Sequence, residues 1–81
     1  MLKETLARLK GEQTDYAVAL QYALLKDGER PKRPDKYLRT VQRILENPET
    51  AEFQNLARLF DLFGVDIRAA VAIAASQAKP K

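Results

Sequence analysis

Between Lys26 and Arg43 the chain carries seven basic and three acidic residues, a net of +4, whereas all 81 residues together reach only +3. The positive charge is therefore concentrated in the middle, and the remainder is slightly acidic. Arg30, Lys32 and Arg33 lie in a stretch stiffened by Pro31 and Pro34. Lys36, Arg39, Thr40 and Arg43 follow at spacings of three and four, which places them together on one side of a helix. Arginine outnumbers lysine four to three in this segment, and its planar fork suits phosphate oxygens and guanine edges. The chemistry these residues offer is recognition of an anion. The loop cations are placed to grip a phosphate backbone, and the helix residues to approach base edges. Two other readings use the same residues: a solvated face that keeps the protein soluble, and a dock for an acidic protein surface.

Other chemistries lack their residues. There is no cysteine and no histidine, which removes thiol nucleophiles, thiolate metal sites and the usual near-neutral proton-transfer group. Ser76 is the sole serine, near the chain end, so a catalytic triad has neither base nor setting. Gly11, Gly28 and Gly64 are too scattered for a phosphate loop. Glu49 and Glu52 read as charge at a helix start, where the dipole favours them. Tyr37 borders the basic stretch, either packing with its hydroxyl at the surface or touching a ligand. No catalysis, cofactor or metal is expected. The lack of cysteine fits a reducing cytosol, no apolar run approaches the ~20 residues of a membrane span, and Met1-Leu2-Lys3-Glu4 has charge where a signal peptide needs an apolar stretch. The expectation is a cytoplasmic protein with no membrane partner.

The elements that must position the basic residues read as helices. Leu2, Leu6 and Leu9 share a face of a first helix that Gly11 stops. Thr14 is placed to cap a second helix, with Asp15 in its first turn. From Tyr16 to Leu25 only Gln21 is clearly polar, so this helix is expected to be the core element, buried nearly all round, with Leu20 at its centre. Lys26-Asp27-Gly28 ends it. A third helix spans about 35–46, with Pro34 or Asp35 at its start and Leu38, Val41, Ile44 and Leu45 turned inward. Asn47-Pro48 breaks it and starts a fourth, capped by Asn47 or Thr50, whose core stripe is Phe53, Leu56, Ala57, Phe60 and Phe63. Gly64-Val65 reads as a left-handed cap. Asp66 is placed to cap a fifth, alanine-rich helix from Ile67 to about Gln77. No stretch alternates with period two.

From Arg39 to Ile67 the pattern resembles the second half of a Cro/CI-type helix-turn-helix repressor domain. Arg39-Thr40-Val41-Gln42-Arg43-Ile44 matches the recognition helix, Asn47-Pro48 the turn, and Leu56 to Ile67, with Gly64-Val65, the closing helix and its cap. The resemblance covers about a third of the chain and implies a regulator that binds DNA as a dimer. It departs from the family at Lys26 to Asp35, a long two-proline connection where the family has a tight turn.

The sequence thus predicts an all-α, compact single domain of about five short helices over residues 1–78, with 79–81 a frayed basic tail. The expected function is DNA binding in transcriptional regulation, through loop 29–35 and helix 35–46. Double-stranded DNA is the expected partner, contacted by Arg30, Lys32, Arg33, Lys36, Arg39, Thr40 and Arg43. The alternative is a non-catalytic helical adaptor or inhibitor, of the phage or plasmid type, that binds a protein. Ile67, Ala70, Val71 and Ala74 are candidates for self-association into a homodimer, or else for closing the core.

Overall fold

Thr14 and Gly28 set the two ends of the longest helix. The Ala17 N–H donates to Thr14 Oγ1 at 3.0 Å, satisfying a backbone donor that the helix itself cannot. Gly28 adopts φ +77°, and its N–H returns to the Leu24 carbonyl, a left-handed cap that glycine enters without steric cost. In the computed structural model, which describes residues 2–68, this helix is α2 (Asp15–Asp27). It stands among α1 (Leu2–Lys10), α3 (Leu38–Glu46) and α4 (Phe53–Leu62), with a single 3-10 turn at Pro48–Thr50. The fold is all-α; among the described residues there is no strand and no helix long and apolar enough to cross a membrane.

The core draws on every helix. Leu6 comes from α1, Val18, Ala19 and Tyr22 from α2, Val41 and Ile44 from α3, and Leu56, Leu59 and Phe60 from α4. In each helix these residues recur at spacings that return to one face. α2 packs mainly on α3 and α4, while α1 leans on α3 and the 3-10 turn. Past α4, Gly64 takes φ +85°, and the Val65 N–H reaches back to the Phe60 carbonyl at 2.9 Å. This is the six-to-one bond of a Schellman cap, as Gly64-Val65 predicted.

Three expectations are corrected. First, α2 is buried on one face only: Tyr16, Leu24 and Leu25 are exposed and Leu20 is half-buried. α3 and α4 pack mainly on the face that carries Val18, Ala19 and Tyr22, while Leu24 and Leu25 line an open groove with Asp61 and Leu62 of α4. Second, the third helix starts at Leu38 rather than near Asp35, because residues 34–37 form turns. Third, Pro48–Thr50 is a separate 3-10 turn and α4 begins only at Phe53, after Glu52, with no side-chain cap. Phe53 is 47% exposed and Leu59 fully buried, which moves the core stripe to Leu56, Ala57, Leu59 and Phe60. The described residues hold four α-helices, and Ile67 and Arg68, where the expected fifth begins, are helical. Ile67 packs on the core, but nearly all of the expected fifth helix lies outside the described residues, with Ala70, Val71, Ala74 and the tail 79–81.

Candidate nucleic-acid interface

α3 presents two unlike faces. Val41 and Ile44 are buried and Leu38 and Leu45 partly so, while Arg39, Gln42, Arg43 and Glu46 are exposed. Arg39 and Arg43, four apart, sit one above the other on the outer face. Glu46 shares that face and reduces its net charge. Thr40 is half-buried beside Ile44, on the shoulder rather than the crest. Gln42 is tied sideways, its Nε2 donating to Asp15 Oδ2 at 3.5 Å, and Asp15 is also paired with Lys10 at 3.0 Å.

The loop before α3 is fastened to the end of α2. Asp27 accepts hydrogen bonds from Lys36 Nζ at 3.0 Å and from the Tyr37 hydroxyl at 3.0 and 3.1 Å. The Tyr37 ring meets Tyr22 edge-on at 5.4 Å, and the Lys26 and Lys36 ammonium groups lie 4.9 and 5.3 Å from its centre. Local turns complete the arrangement: Lys36 N–H bonds the Arg33 carbonyl, and Leu38 N–H the Asp35 carbonyl. Tyr37 is thus a fastener, the packing alternative of its two sequence readings.

The expected site residues fall into two groups. Arg30, Lys32, Arg33 and Lys36, with Asp27 and Glu29, line a depression of about 460 Å³ in the loop. Arg33 and Lys36 also line a second depression, of about 420 Å³, with Arg39 and Gln42. The two depressions share Arg33 and Lys36 and so link Arg30 to Arg39, with Asp27, Glu29 and Asp35 interspersed among the cations. Thr40 and Arg43 line a different cleft of about 240 Å³, together with Asn47, Thr50, Glu52 and Asn55. Among the described residues no ion pair holds Arg30, Lys32, Arg39 or Arg43. Arg33 pairs with Asp35 at 3.6 Å while staying largely in solvent, an arrangement that contributes little. Lys36 lies before the helix, not on it, and is shared with Asp27.

Comparison with protein-family models, curated proteins and solved structures returned no match. The site therefore rests on its own geometry. Sequence reasoning missed Gln42, three residues beyond Arg39 on the same face, and the polar group Asn47, Thr50 and Asn55. The first was legible from helical spacing; the second depends on where α4 starts. Ten residues, 28–37, separate α2 from α3, far more than the three or four of a helix-turn-helix corner.

The fastener carries a pH signature. The hydrogen bond from Lys36 holds the Asp27 carboxyl below its ordinary value, with Tyr37 adding to the effect against some desolvation. The hydrogen bond to Asp27 in turn raises Lys36. A lowered carboxyl stabilises the fold above its ordinary titration range and loses that contribution as pH falls through the lowered value. A raised lysine contributes below the ordinary lysine range and loses it as pH rises through the raised value. The Tyr37 ring resonances should therefore hold one position across neutral pH and move toward free-tyrosine values under strong acid. In Asp27→Asn they should sit nearer the free position at every pH. Identical spectra for the two proteins would mean that Asp27 does not fasten the loop.

Proposed function

We propose that the protein binds double-stranded DNA and acts as a transcriptional regulator, through loop 29–35 and the outer face of α3. The observation that carries this reading is the set of exposed cations from Arg30 to Arg39 along two depressions that share Arg33 and Lys36, followed on the outer face of α3 by Arg43. Arg30, Lys32 and Arg33 contact phosphates, with Lys36 beside them. Arg39 and Arg43 reach base edges, and Thr40 contributes from the shoulder. An α-helix such as α3 is about 10–12 Å across with its side chains, which fits the ~12 Å width of a major groove. Duplex is favoured over single strands because single-strand binders rely on exposed aromatic platforms, and Tyr37, the aromatic residue beside this surface, is engaged with Tyr22 and Asp27.

A second reading, a helical adaptor that docks a protein, is favoured by the exposed Leu24 and Leu25. Fluorescence anisotropy of the full chain with mixed-sequence duplex DNA and with single-stranded RNA, over a salt series, separates the two. The expected result is duplex binding whose logarithmic affinity falls with logarithmic salt at about −0.9 per phosphate contact, or roughly −3 for three loop cations. No salt-dependent binding at micromolar protein in low salt would sink the DNA reading in favour of the adaptor.

A further inference from the structure

Arg43 and Glu52 stand on opposite walls of the cleft of about 240 Å³, Arg43 on α3 and Glu52 just ahead of α4. They carry opposite charges, yet no ion pair holds either of them among the described residues. Glu52 occupies the N-cap position of α4 but makes no side-chain cap bond, so its own helix leaves the carboxylate unused. The cleft separates the two charges, and a ligand that bridges them must itself carry both signs.

The polar groups between them are already oriented. Asn55 faces the Tyr22 hydroxyl at 3.3 Å and Arg58 Nη1 at 3.0 Å. Arginine only donates, so the Asn55 atom that meets it is the amide oxygen, and the amide nitrogen is the group left to offer the cleft. Thr50 Oγ1 donates to the Asn47 carbonyl at 3.0 Å, so its oxygen is left to accept. Ile44 and Ala51 add apolar surface. The cleft thus offers donors from Arg43 and Asn55, acceptors from Glu52 and Thr50, and a small apolar patch.

We propose that this cleft binds a small zwitterion of the α-amino acid class, its carboxylate on Arg43 and Asn55 and its ammonium on Glu52 and Thr50. A guanidinium takes a carboxylate in a two-bond fork. An anion without a positive group would meet the Glu52 carboxylate, and a cation without a negative group would meet Arg43, so a singly charged ligand is disfavoured. The cleft is smaller than the ~300–1,000 Å³ of pockets for drug-sized molecules, which limits the ligand to a short side chain. The proposal does not depend on the DNA reading, with which it shares Arg43 and Thr40, and its test needs no duplex.

NMR titration of the full chain with alanine reads the site directly. N-acetylalanine, which lacks the ammonium, alaninamide, which lacks the carboxylate, and inorganic phosphate serve as matched probes. The expected result is that alanine at millimolar concentration moves the side-chain amide resonances of Asn47 and Asn55 saturably, and that the other probes bind about tenfold more weakly or worse. Ligand binding to the folded state should also raise the Tm with alanine concentration. Arg43→Gln and Glu52→Gln, shown folded by circular dichroism, should each lose the response, while Glu49→Gln, outside the cleft, should keep it. Phosphate or N-acetylalanine binding as well as alanine would make this a simple anion site and overturn the proposal. No saturable shift with alanine, glycine or serine would overturn it too, as would a response that survives both glutamine variants of the cleft.

Discussion

Tyr22→Ala is expected to destabilise the fold by about 3–5 kcal/mol, the range for emptying a buried aromatic site. Tyr22 is 1% exposed and, among the described residues, is the largest fully buried side chain. Its loss leaves more than a cavity. The hydroxyl donates to Asn55 Oδ1 at 3.3 Å and accepts from Arg58 Nη1 at 3.1 Å, so two polar groups of α4 lose a partner. The ring also seats Tyr37, so the start of α3 loosens too. A small domain holds about 5–15 kcal/mol in total, and the variant should be marginal at room temperature. Tyr22→Phe isolates the hydroxyl and should cost only about 1 kcal/mol. Urea midpoints of the two variants against the parent check both values. An alanine variant within about 1.5 kcal/mol of the parent would show that α2 and α4 do not depend on this contact.

Arg39→Ala and Arg43→Ala are expected to weaken binding to a preferred duplex site by about 1–3 kcal/mol each, with little effect on unrelated sequences. Arg33→Ala should instead weaken all duplexes alike and flatten the salt slope by roughly 1. Neither arginine of α3 is buried or paired within the described fold, so stability should hold and any loss is one of contact. Because the two are one turn apart, the double variant need not equal the sum. Competition titrations with specific and scrambled duplexes read the difference. Uniform weakening by Arg39→Ala would place that residue on phosphate. No change from either variant would remove α3 from the interface.

Where local chemistry decided the outcome, the fold was legible in the sequence. Thr14, Gly28 and the Gly64-Val65 pair each cap a helix end with bonds reaching at most five residues, and each behaves as its residue type predicts. The apolar spacing of α3 likewise separated Val41 and Ile44 from Arg39 and Arg43. The misreadings share a different cause. Leu24 and Leu25 suit a buried helix as well as an exposed one, and only the placement of α3 and α4 decides between them. The start of α3 was misplaced because Tyr37 is drawn to Asp27, ten positions earlier, by a bond that no local pattern announces. The division of the basic residues between two depressions and a separate cleft depends on where Pro48–Thr50 turns the chain, and three residues of 3-10 helix leave little trace in a periodicity.

The bonds from Asp27 to Lys36 and Tyr37 also bear on how fast the proposed interface would capture an anion. They convert residues 28–35 from a strand of chain with free ends into a closed ring, further stiffened by Pro31 and Pro34. The entropy of bringing the ends of such a ring together is lost during folding, not at the moment of encounter. On the proposed DNA-binding reading, an arriving polyanion would meet Arg30, Lys32 and Arg33 along one depression, with few backbone conformations left to remove. The proposal then implies association near the electrostatically steered rate, with discrimination between one duplex and another left to how long each complex survives.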